Sequence, residues 1–214
     1  MFQMKKKLTV ILVACMIALT IVPPVLAATP TGSGSYSASK AISYAEKYVL
    51  NYNPAYKYYY SDCTNFVSQC LYAGGWPYAN TSLPATDNYA WWYKASTSTN
   101  SNTWSVADRL YAFSFLYTNP YRGMATTRYS GTTTVNYPSG VSKGDIIFYD
   151  WTSDGNADHA SIYVVDGTDP VSKSSGALID QHTYDRQHAI WTLNYYNTNR
   201  STTTIKPVHL YSSF

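Results

Sequence analysis

A cysteine at the start of a short amphipathic helix is the residue of this chain whose type and position best suit chemistry. The run Asp62-Cys63-Thr64-Asn65-Phe66-Val67-Ser68-Gln69-Cys70-Leu71-Tyr72-Ala73-Gly74-Gly75 puts Cys63, Phe66, Val67, Cys70 and Leu71 on one helical face and stops on two glycines. Ser61 or Asp62 supplies the cap expected before it. The leading amides of a helix lack internal partners and carry partial positive charge, so a thiolate at Cys63 is favoured and its pKa falls. Such a sulfur is a nucleophile for acyl transfer. Cys70 lies about 10 Å further along the helix, beyond the roughly 7 Å between Cα atoms that a disulfide tolerates. It reads as a small core residue.

A thiol nucleophile needs a base, and histidine is the side chain whose pKa suits that work near neutrality. His159 heads a strongly apolar strand immediately after the loop at 152–158, and is the expected base. His182 ends the next expected strand, where it can neighbour His159 and orient the second ring nitrogen as the third member of a triad. Asp180, two residues earlier on the same strand face, is the alternative for that role. His188 and His209 read as surface or packed histidines.

The elements that must position these groups fall into two halves. Helices are expected at 38–51, with Ser37 as cap and Asn53-Pro54 as stop, then at the Cys63 block, then from Ser105-Val106-Ala107-Asp108, a capping-box-like start with Asp where Glu is usual, through Leu110, Phe113 and Leu116 to Asn119-Pro120. Between the last two lies a long polar segment, 78–102, with Trp91-Trp92 inside it and Trp104 just beyond. It is either a functional loop or a covering loop anchored by its tryptophans. Short apolar or alternating runs follow at 145–149, 159–165, 177–182 and 205–211, separated by Gly, Asp, Ser and Pro. Helices first and strands afterwards, with short connections, give an α+β fold in which the Cys63 helix packs on an antiparallel sheet.

Residues 1–27 have the order of a secretory signal: Lys5-Lys6-Lys7, an apolar run, Pro23-Pro24, then Val25-Leu26-Ala27 before Ala28. A single mature domain, 28–214, exported and free of the membrane, is therefore expected. Leu12-Val13-Ala14-Cys15 also resembles a lipoprotein box, which would instead lipidate Cys15. Loss of the leader removes three of the 15 basic residues and none of the 12 acidic ones, so the mature formal charge is zero. No Lys/Arg cluster remains to neutralise phosphates, which excludes a nucleic-acid partner. Asp154-Gly155-Asn156-Ala157-Asp158 begins like a calcium loop, but His159 stands where the turn glycine belongs and Val165 replaces the closing acid, so a polar turn is expected. No zinc-type spacing of His or Cys occurs, and the chemistry outlined requires neither metal nor cofactor. The rival to an enzyme is a non-catalytic wall- or carbohydrate-binding module that stacks sugars on some of its 23 Tyr and 6 Trp.

Taken together, the Cys63 block, Ala73-Gly74-Gly75, Gly144-Asp145, Asp158-His159 and Gln181-His182-Thr183 resemble the bacterial putative amidase domain family over about residues 37–212. That family is similar to the NlpC-type and CHAP cysteine hydrolases, so the resemblance implies a papain-like core, Cys63 as nucleophile, His159 as base and a third polar residue at His182. In CHAP relatives an acid and an amide two positions apart occupy the corresponding strand, which keeps Asp180 in view. Trp92 and Trp104 match aromatic positions common in the family, and a tyrosine upstream of the nucleophile often helps hold the oxyanion in NlpC-type enzymes. For an exported bacterial protein the implied substrate is peptidoglycan, cut at the bond to the first L-alanine or within the stem peptide.

Overall fold

The computed structural model describes residues 34–214, so the expected leader at 1–27 and Cys15 lie outside the described residues. Helix α1 (Ala38–Tyr48) starts where Ser37 Oγ accepts the Lys40 N–H, and its buried stripe of Ala41 and Ala45 continues into Val49. It ends three residues before the expected limit at 51. Helix α2 (Cys63–Ala73) is buried on nearly every side from Cys63 to Leu71, wedged between α1 and the sheet.

The segment after α2 is a covering loop pinned by its tryptophans. It holds a small hairpin, β1 (Tyr93–Lys94) with β2 (Thr99–Asn100), and sends Trp91 into a cluster with Trp104 and Phe113. The third expected helix is two: α3 (Asn102–Ser105) and α4 (Ala107–Phe115). Val106 between them is extended, and Asp108, expected in a capping box, instead accepts the Ala157 N–H.

The second half is one antiparallel sheet of β3 (Gly123–Ala125), β4 (Tyr129–Ser130), β5 (Ile146–Asp150), β6 (His159–Thr168), β7 (Ser175–Gln181), β8 (Arg186–Ile190) and β9 (Thr204–Leu210). Strands β5 to β8 follow one another as hairpins, β9 returns beside β5, and β3 and β4 pair with its far side. The chain is thus α+β as expected, with β3, β4 and β8 beyond the four strands anticipated. Alternation splits the core in two: Ile146, Phe148, Ala160 and Ile162 face the helices, while Ile147, Tyr149, Ile179 and Trp191 fill the opposite face. Both sheet faces are covered, which is why β5 is buried throughout.

Candidate active site

Cys63 opens α2 and His159 opens β6, and the fold brings them together. Both side chains are buried to within a few per cent of completely. Burial pushes the Cys63 thiol up, but the charge and hydrogen bonding of His159, the Thr64 hydroxyl and the Ala160 N–H outweigh it and hold the pKa at about 7. Cys70 has no such neighbours, and burial raises its thiol far above the ordinary value.

The far nitrogen of His159, Nε2, donates to Gln181 Oε1 at 3.0 Å. The assignment is fixed from the other side, because Gln181 Nε2 faces the carbonyls of Thr183 and Tyr184 at 3.4 and 3.3 Å, which only an amide N–H can satisfy. His159 therefore carries its proton on Nε2 and keeps Nδ1 for the thiol. Its ring stacks on Trp151 at 5.5 Å between centroids, which limits rotation.

His182, the expected third member, is engaged elsewhere. Its Nδ1 bonds Asp62 Oδ2 at 2.6 Å and its Nε2 donates to the Tyr48 carbonyl at 3.0 Å, while Phe66 and Tyr52 sandwich the ring. Both ring nitrogens are thus committed to the scaffold. His182 thereby ties the Tyr48 carbonyl at the end of α1, which also accepts the Asn51 N–H, to Asp62 before α2. Asp180 does not reach His159 either: it is fully buried on the helix side, Oδ1 accepts the His188 N–H, and burial pushes its carboxyl up to about 7. The reason is parity. The register pairs Ile162 with Asp180 and Tyr163 with Ile179, so Asp180 and His182 share the helix-facing side whereas Gln181 shares the side of His159.

The cap of α2 also differs from expectation. The Asp62 side chain makes no cap; its Oδ1 instead accepts from Tyr59 N–H and from the Asn65 amide. The cap is Thr183, whose Oγ1 accepts the N–H groups of both Asp62 and Cys63 at 2.8 and 3.2 Å. Thr183 and Tyr184 form the β7–β8 turn with φ of 59° and 65°, a left-handed pair that a hairpin of this twist needs but that a β-branched residue resists. The strain delivers a hydroxyl to the helix end.

Residues 35–205 match the family model described as "Putative amidase domain", a span that holds Cys63, His159 and Gln181. The chain belongs to that family. Two Bacillus subtilis (strain 168) proteins are similar to it. YhbB, named as uncharacterized, is 33% identical over 156 residues, which is 73% of this chain and 44% of that protein. YjcM, also named as uncharacterized, is 52% identical over 67 residues, 31% of this chain and 16% of that protein. The chain thus spans less than half the length of either relative. No solved structure matches it.

In this amidase-family domain the paired side chains lie at the floor of a cleft of about 570 Å³. Its walls carry Trp151, Tyr184, Tyr196, Asn197 and Asn199, with Asp158 and Arg186 as its charged groups. The acids of the loop before His159 serve the turn: Asp150 accepts from Asp154 and Gly155 N–H and pairs with buried Lys206 at 2.9 Å, and Asp158 accepts from Trp151 N–H. Gln181 and Thr183 belong to a block that carries the family resemblance, but the sequence assigns neither of them a role. The signal available for them was the strand alternation itself, once the register of β6 and β7 is known.

Proposed function

We propose that this domain is a cysteine amide hydrolase with a papain-like arrangement, acting through Cys63, His159 and Gln181 on exported cell-wall peptidoglycan. The observation that carries the reading is the relay at the cleft floor, a thiol with a pKa of about 7 beside a histidine whose other nitrogen donates to a buried amide.

The Cys63 thiolate attacks an amide carbonyl, forming a C–S bond and an oxyanion. His159, protonated by the thiol, delivers that proton to the leaving nitrogen as the C–N bond breaks. Water then gives a proton to His159 and its oxygen to the thioester, and the thiol is restored. The backbone N–H of the nucleophile, a helix-start donor close to where the oxyanion forms, already bonds Thr183 Oγ1. With both lone pairs of that oxygen occupied by amide donors, the hydroxyl proton is left to donate into the cleft, so the positive end of α2 reaches the oxyanion through Thr183.

An amide substrate is supported by the family, and peptidoglycan by the secretory-signal order of residues 1–27 and by a cleft of aromatic, amide and hydroxyl groups suited to peptide and sugar. The binding-module reading loses support because Trp76, Trp91, Trp104 and Trp191 are sealed inside, their faces turned to the core. Digestion of purified peptidoglycan, with products read by mass spectrometry and Cys63→Ala as control, tests the proposal. A new amine on alanine beside intact glycan identifies an amidase, shortened stems an endopeptidase, and cleavage that persists in Cys63→Ala overturns the mechanism.

A further inference from the structure

On the opposite face of β7 from Gln181, three side chains from separate elements converge. Glu46 of α1, Asp180 of β7 and His188 of β8 each offer one ligand atom, all within 4.8 Å of one another. His188 Nε2 and Glu46 Oε1 are 2.7 Å apart. Asp180 is fully buried, yet its Oδ2 has no hydrogen-bond partner among the described residues. A buried carboxylate oxygen without a donor is costly and calls for a partner. Among the described residues no N–H or O–H supplies one; a cation would.

The strands are shaped to make this cluster. Between the pairs Ile179 with Ala189 and Gln181 with Arg186, β8 carries one residue more than β7, and His188 within that bulge has φ of 58°. Bulges re-aim side chains, and here the imidazole meets α1. Glu46 and His188 are about one-third exposed, at 32% and 36%, which leaves an entry path and room for water ligands.

We propose that Glu46, Asp180 and His188 bind a divalent transition-metal ion of the zinc class, with water completing the coordination. One imidazole and two carboxylates suit such an ion better than calcium or magnesium, which favour oxygen alone. The ion clamps α1 to the β7–β8 hairpin, the unit whose residues Gln181 and Thr183 serve the cleft. It takes no part in the reaction, so the hydrolase reading and the metal site stand or fall separately.

The test uses the Cys63→Ser protein, which lacks the reactive thiol that itself takes up zinc, after dialysis against EDTA. Calorimetric titration with zinc chloride is expected to give one bound equivalent and a Tm that rises with zinc and falls back on chelation. His188→Asn removes the imidazole but keeps a residue at ease with positive φ, and it is expected to weaken binding at least tenfold, as is Asp180→Asn. Because His188 is part-exposed, its variant tests the site even if Asp180→Asn does not fold. Absence of saturable zinc binding, or His188→Asn binding zinc as tightly as its parent, overturns the proposal.

Discussion

His159 and His182 stand at adjoining ends of neighbouring strands, and the contrast between them separates a histidine of the cleft floor from one of the scaffold. His159 has one ring nitrogen donating to an amide and the other turned to a thiol at a cleft floor. His182 has both nitrogens bonded, one to a buried carboxylate and one to a helix-end carbonyl, with aromatic rings on both faces. A histidine can move protons only if a nitrogen is left uncommitted. A histidine without one can still hold elements together, and His182 joins the end of α1 to the start of α2, where Cys63 sits.

The contrast breaks most sharply if the two histidines exchange phenotypes. Cys63→Ala and His159→Ala are each expected to lower kcat by about 10³-fold or more with little change in Tm. Iodoacetamide gives a finer measure, since it reads the thiolate: its rate should climb as pH rises through about 7. In His159→Ala the opposing causes are weakened and burial prevails, so the midpoint moves above the ordinary thiol range. His182→Ala should act through stability instead. It strands the Asp62 carboxylate, 1% exposed, without its partner, a change that costs about 3 kcal/mol and lowers Tm by about 10 °C. Thermal unfolding that leaves His182→Ala at the parent Tm, with kcat down a thousandfold, would reverse the assignment.

Much of this contrast was out of reach of the sequence. Residue types brought Cys63 and His159 forward as candidates, because a helix start and a strand start are local patterns. The choice among Asp180, Gln181 and His182 depends on the register of β7 against β6, and a slip of one residue exchanges their faces. Helices α1 and α2 and the strands β5, β6, β7 and β9 were legible from periodicity. Strand β8 was not, since Arg186, Gln187 and His188 are polar and its bulge breaks alternation. Strands β3 and β4 are only three and two residues long and exist because β9 offers them an edge. The helix expected from Ser105 divides at Val106, where tertiary packing places Asp108 against Ala157 instead of in a capping box.

A smaller effect sharpens the role of the hairpin turn. Thr183→Val keeps the β-branch, and with it the backbone strain, but removes the hydroxyl that caps Asp62 and Cys63. Loss of one oxyanion donor predicts a fall in kcat of about 10²-fold, while loss of the cap costs about 1 kcal/mol of stability. Thr183→Ser restores both. If Val and Ser variants turn over equally, Thr183 is a cap alone and the Cys63 amide must be freed to meet the oxyanion.

Gln181→Ala is expected to do least, and its small size is informative. The amide contributes one neutral buried hydrogen bond to His159, worth about 1 to 1.5 kcal/mol, so kcat should fall only about tenfold with KM nearly unchanged. The loss should come from a ring free to choose its tautomer, since Nε2 no longer has an acceptor. Stacking on Trp151 still restrains the plane. A second change, Trp151→Ala, made on the Gln181→Ala background, removes that restraint, and the two losses should then exceed the product of the single ones. Multiplicative losses would mean that tautomer and ring plane are controlled independently, and that Gln181 does no more than hold the proton on Nε2.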